Sequence, residues 1–119
     1  MGKADSQIPT AVRRAVDERD ARRCVRCGMA GREQHHRTRR REAGHAISNL
    51  VLLCGSCHRH VHANPTEAKA TGFIIPPWGE QTSLTMPVRE FTGQWLLLDD
   101  DAGIAYSTAP CLDYQATAL

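Results

Sequence analysis

The sequence predicts an α+β fold: a small strand–strand–helix core around metal, with an N-terminal helix before it and a β-rich tail after it. Three observations carry this. Two Cys-x-x-Cys pairs, Cys24/Cys27 and Cys54/Cys57, stand 30 residues apart. All six histidines fall between positions 35 and 62. Beyond Pro65 the residues turn from basic and ligand-rich to acidic and strand-forming.

At 119 residues the chain buries limited apolar surface, so a structural metal would help it fold. No apolar run approaches the roughly 20 residues that span a bilayer, and MGKADSQIPT lacks the apolar centre of a secretory signal. The expectation is a cytoplasmic protein, in a compartment where paired cysteines hold zinc rather than form disulfides. The net charge of +2 hides an asymmetry. Residues 1–62 carry 13 Lys/Arg against 6 Asp/Glu, and residues 63–119 carry 2 against 7. A basic half that also holds the histidines points to a polyanion partner.

Three segments are expected: 1–21, helical; 22–65, the metal-rich core; and 66–119, an acidic β-rich extension. Pro9 suits a first helical position. Ala11, Val12, Ala15 and Val16 then form a short apolar stripe at helical spacing, which predicts a helix near 9–20. Arg13 and Arg14 lie on its polar side, where they face water or a phosphate.

Cys24-Val25-Arg26-Cys27-Gly28 reads as a knuckle: two thiolates reach one ion and Gly relieves the turn. With Cys54 and Cys57 it makes a four-thiolate structural Zn²⁺ site. Arg22, Arg23 and Arg26 are placed to offset its negative charge. Residues 32–36 read as a strand, 37–48 as a basic loop and 50–53 as a buried strand. Ser56 is the expected cap of a helix from about 57 to 63, which Asn64-Pro65 stops. Glu67 onward allows one more helical turn. Residues 72–78 are extended by their prolines. Residues 94–98 and 104–107 form a hairpin around 99–103, whose three aspartates are expected to face solvent. Cys111 is read as an unpaired thiol.

His58 and His62, four apart on the expected helix, point to one side and can hold a divalent ion. His60 points away and is read as a surface residue. The third ligand comes from His35, His36 or His45. Neighbours on a regular strand face opposite ways, so His35 and His36 enter one site together only if the backbone twists there.

His35-His36-Arg37, Ser48-Asn49-Leu50-Val51-Leu52-Leu53-Cys54 and Cys57-His58-Arg59-His60-Val61-His62 together resemble the HNH nuclease family, in its zinc-knuckle phage and bacterial type. The resemblance covers roughly residues 22–65. It implies a ββα-metal core, metal-dependent endonuclease activity on DNA and a 5′-phosphate product. By position it makes His36 the general base, with His35, His58 and His62 as ligands of the catalytic ion. His58 is the last motif residue. Asn49 ties the hairpin loop so that His36 stays oriented. Many relatives have Asp at position 35. A His there favours Zn²⁺, Ni²⁺ or Mn²⁺ over strict Mg²⁺.

The mechanism that this implies places the ion on the phosphate and the leaving 3′ oxygen, with His36 taking a proton from water. Arg37, Arg39, Arg40 and Arg41 would hold flanking phosphates of duplex DNA. A phage or mobile-element setting would place the protein in a host cytoplasm, with terminase or other packaging proteins as partners. Oligomeric state, cognate site and nick versus double-strand break are not written in the sequence. Three other readings compete. A zinc-binding module that grips DNA without cutting it would not need the histidines. An RNase would use the same site. A zinc peptidase would want a Glu between the helical histidines, where Arg59-His60-Val61 stand.

Overall fold

A computed structural model describes residues 7–39 and 44–110. Arg40, Arg41 and Cys111 lie outside the described residues. The elements run α1 (Thr10–Arg19), β1 (Glu33–His36), a 3₁₀ turn (Ile47–Asn49), β2 (Leu50–Leu53), α2 (Gly55–Ala63), α3 (Pro65–Thr71), β3 (Val88–Arg89), β4 (Trp95–Leu98) and β5 (Ile104–Ser107). It is the expected α+β arrangement, with two small antiparallel sheets, β1-β2 and β3-β4-β5. No helix among the described residues is long and apolar enough to cross a membrane.

Helix α1 starts after Pro9 and buries Val16 completely. Its last residue does more than its stripe. The Arg19 guanidinium donates to the carbonyls of Ile47 and Leu50. Asp20 pairs with Arg19 at 2.8 Å and accepts from the Leu52 amide at 2.9 Å. A buried ion pair of this kind holds only when its remaining lone pairs and protons are satisfied. Here the edge of β2 satisfies them, and α1 is fixed against the hairpin.

The β1-β2 register sets Glu33 opposite Leu53, His35 opposite Val51 and His36 opposite Leu50. All four residues of β2 are buried. This follows from an apolar run covered on both sides. Helix α2 begins where β2 ends, and its cap is Cys54, not Ser56 as the sequence predicts. The Cys54 sulfur accepts from the Cys57 amide at 3.3 Å. A sulfur held beside a helix N-terminus meets the positive end of the helix dipole, and there a hydroxyl is not needed. Helix α3 is longer than the single turn expected and starts at Pro65. It ends at Gly72, whose φ of +86° is left-handed, and a Cβ there would stand 2.1 Å from the Pro87 carbonyl oxygen.

The tail does not stand apart from the core. Val25, Val51, Leu53 and Val61 share one buried cluster with Ala68, Phe73, Val88, Leu96 and Leu98. Strand β3 was not expected from its two residues. It pairs with β4 and carries Val88 into this cluster.

Arg37 corrects an expectation. It is 1% exposed and cannot hold a phosphate. Its guanidinium donates to the carbonyls of Gly72, Ser48, Ser83 and Met86. Those acceptors come from the hairpin loop, the end of α3 and the tail. Burial pushes the guanidinium down to about 9, with Arg19 adding repulsion, so it stays charged near neutrality. The aspartate turn is also not merely solvated. Asp100 accepts from the Ser48 amide at 3.0 Å, and Asp99 accepts from Asp101 and Gly103.

Candidate metal centres and catalytic cleft

The knuckle turn closes through a Gly28 amide bond to the Cys24 carbonyl at 2.8 Å. It brings Cys24 and Cys27 to Cys54 and Cys57, with the four sulfurs within 4.8 Å of one another. Cys27 and Cys54 are 3.9 Å apart. Tetrahedral zinc with bonds of about 2.3 Å sets its sulfurs roughly 3.8 Å apart, so the donor set fits Zn²⁺. The Cys57 amide draws the Cys54 thiol down to about 7. Burial pushes Cys57 up to about 12. Of the three arginines near this site, Arg26 reaches it: it donates to the Cys57 sulfur at 3.4 Å and to Glu67 at 3.3 Å. Glu67 also meets His60 at 2.8 Å. His60 thus turns toward α3, away from the other histidines.

The second cluster joins His35, His58 and His62, with one nitrogen of each within 4.8 Å of the others. The helical spacing of His58 and His62 puts their rings 5.0 Å apart. His35 lies 5.1 Å from the first and 5.4 Å from the second. His35 is 2% exposed, and burial lowers its pKa to about 4. It is therefore neutral, as a metal ligand must be.

Two contacts settle which nitrogens face the cluster. His35 Nε2 is 2.6 Å from the Phe73 carbonyl oxygen. A carbonyl only accepts, so Nε2 carries the proton and Nδ1 keeps its lone pair. His58 Nδ1 is 2.6 Å from Glu33 Oε1, which leaves Nε2 to face an ion. His35 and His58 thus each keep one nitrogen free, and with His62 they form a group that could hold a divalent cation. Sequence reasoning missed both partners. Glu33 shared a strand face with His35 by its spacing of two, and that was the available signal. The Phe73 carbonyl, 38 residues away, gave none.

His35 and His36 line the same cleft, of about 420 Å³, although they are strand neighbours. His58, His62, Gln34 and Arg13 line it as well, with Gln7 and Ile8 from the segment before α1. Gln34 holds Arg13 there by donating to its carbonyl and to Asp17, each at 2.9 Å. His45, the other candidate ligand, is outside the cluster and meets His36 instead. Asn49 is fully buried. Its Oδ1 accepts from the Thr38 amide at 2.9 Å, and its Nδ2 donates to the carbonyls of Gly44 and Thr38. It touches the loop and not the cleft. Arg39 is exposed.

Residues 24–64 match the model of a family described as HNH endonuclease. The matched segment takes in both metal-type clusters and the hairpin between them, the ββα-metal arrangement. It marks a nuclease-type, metal-binding domain. No curated protein and no solved structure matches the chain.

Proposed function

We propose that the HNH domain of residues 24–64 makes this protein a metal-dependent endonuclease that hydrolyses DNA phosphodiester bonds. One observation carries the reading: three imidazoles converge within 4.8 Å beside a cleft that also takes in His36 and Arg13. A DNA-binding module without catalysis has no use for that convergence.

His35, His58 and His62 would hold the catalytic ion, and the four cysteines a structural Zn²⁺. The all-imidazole set favours Zn²⁺, Ni²⁺ or Mn²⁺, and Mg²⁺ is the weaker fit. A divalent ion, when bound, supplies stabilisation for the negative charge that builds on a phosphate under attack. The remaining work belongs to the chain. His36 accepts a proton from the attacking water. Arg13, on the cleft wall, offers a guanidinium to the phosphate oxygens. Arg39, with Arg40 and Arg41, supplies charge for flanking phosphates, a contact without base readout. Such binding has modest sequence preference and weakens steeply with salt. The products would be a 5′-phosphate and a 3′-hydroxyl. A phage or mobile-element setting would fit the knuckle-type motif.

The test is nicking of supercoiled plasmid in Mg²⁺, Mn²⁺, Ni²⁺ and Zn²⁺, with linear duplex, single-stranded DNA and RNA in parallel. His36→Ala should lose about 10²–10⁴-fold in rate and keep its DNA affinity. Equal rates in His36→Ala and wild type remove His36 from its role. Faster cleavage of RNA than of either DNA moves the activity to RNases.

A further inference from the structure

One histidine has a defined contact that the metal cluster does not use. Nδ1 of His45 lies 3.0 Å from Nε2 of His36, and the two rings are tilted by 46° at a centroid separation of 5.2 Å. Two facing ring nitrogens bond only if one carries the proton and the other a lone pair. The contact therefore holds the His36 ring at one orientation and ties its proton position to that of His45.

The backbone around His45 is held from both sides by a single residue. Asn49 Nδ2 donates to the Gly44 carbonyl at 3.1 Å. The Asn49 amide donates to the Ala46 carbonyl at 2.9 Å. His45 sits between those two anchors. Asn49 itself is buried and continues into β2, the partner strand of His36.

We propose that His45 is a positioning residue for His36, and that it is the link through which Asn49 orients the proposed base. This rests on the nuclease reading for its effect on rate, but not for the contact itself. An imidazole can turn about its side-chain bonds as well as exchange tautomers. A bond to one nitrogen restricts both, as partners of metal-bound histidines do. The geometry gained this way bears on rate, because a misdirected base is slow even when substrate binds normally. His45 lies outside the group of three imidazoles that converge.

Two readouts test it. The first is cleavage. His45→Ala should lower kcat about 10- to 100-fold, with KM, plasmid affinity, Ni²⁺ affinity and melting temperature unchanged. His45→Asn, whose amide can still meet His36, should recover much of the rate. The second does not need activity. Ring ¹⁵N NMR of the zinc-loaded protein at a fixed pH of about 8, where imidazoles are neutral, should give closely similar His36 Nε2 shifts in wild type and in His45→Asn, and a displaced Nε2 shift in His45→Ala. Wild-type kcat and an unchanged His36 ring spectrum in His45→Ala overturn the proposal. So does a rate loss that tracks a fall in Ni²⁺ affinity or melting temperature, since His45 would then support the fold or the ion. Should wild type cleave no nucleic acid, the nuclease reading falls, and the NMR comparison still decides the positioning of His36.

Discussion

Glu33 Oε1 lies 2.6 Å from Nδ1 of His58, so a carboxylate at the start of β1 fixes the first imidazole on the histidine face of α2. Both side chains are partly exposed. As a bare ion pair the contact would add little to stability. As an orienting bond on a ligand it matters more. Glu33→Gln should weaken Ni²⁺ binding at the histidine site by about 10–100-fold with little change in melting temperature. Titration against a competing chelator checks this, and an unchanged affinity reduces the pair to a surface contact.

Arg37 joins four carbonyls from three parts of the chain. In Arg37→Met those acceptors stay buried without a donor, each a loss of about 1–3 kcal/mol. Urea unfolding should report a total of about 3 kcal/mol or more. DNA affinity of the folded fraction should hold, with the salt slope unchanged. A reduced slope with native stability would return Arg37 to the phosphate-binding surface.

His35 makes stability depend on pH. Its folded value of about 4 lies below the ordinary 6.5, through burial first, with His58, His62 and His36 adding repulsion against the Phe73 bond. The unfolded chain therefore takes the proton first as pH falls. The contribution is complete above pH 6.5 and is lost progressively toward pH 4, by up to roughly 3 kcal/mol. Urea midpoints at pH 7 and pH 5 should differ in this sense, and His35→Gln should narrow the difference. An equal drop in wild type and variant would assign the effect to other groups.

The tail should be indispensable to the core. Phe73, Val88, Leu96 and Leu98 are buried with Val51, Leu53 and Val61. Burial of each such side chain stabilises by about 1.5–3 kcal/mol. A chain cut after Thr71 should lack a cooperative thermal transition even with zinc present. The milder Asp100→Ala, which frees the Ser48 amide, should lower stability by about 1 kcal/mol. A truncated chain that melts sharply would make residues 66–119 a separable extension.

Local patterns were legible. The spacing of four between His58 and His62, the two Cys-x-x-Cys pairs and the apolar run at residues 50–53 each follow from helix and strand periodicity. The unread features depend on distant partners. Arg37 sits in a run with Arg39, Arg40 and Arg41 and has the same chemistry. Its carbonyl partners, Ser48, Gly72, Ser83 and Met86, stand 11 to 49 residues away and distinguish it. Ser56 was the better cap by residue type, and Cys54 took the position because the knuckle already held it beside the helix start. His35 and His36 reach one cleft although strand geometry separates them. The cleft lies across the strand end, with α1 supplying one wall and α2 another.

The most direct measurement is anomalous diffraction from crystals grown with Zn²⁺ and soaked in Ni²⁺. Two sites are expected. One is zinc within about 2.3 Å of four sulfurs. The other is a cation held by His35, His58 and His62, with His36 beside it and unbound. Nickel held through His36 or His45, or no second cation at all, would contradict the account.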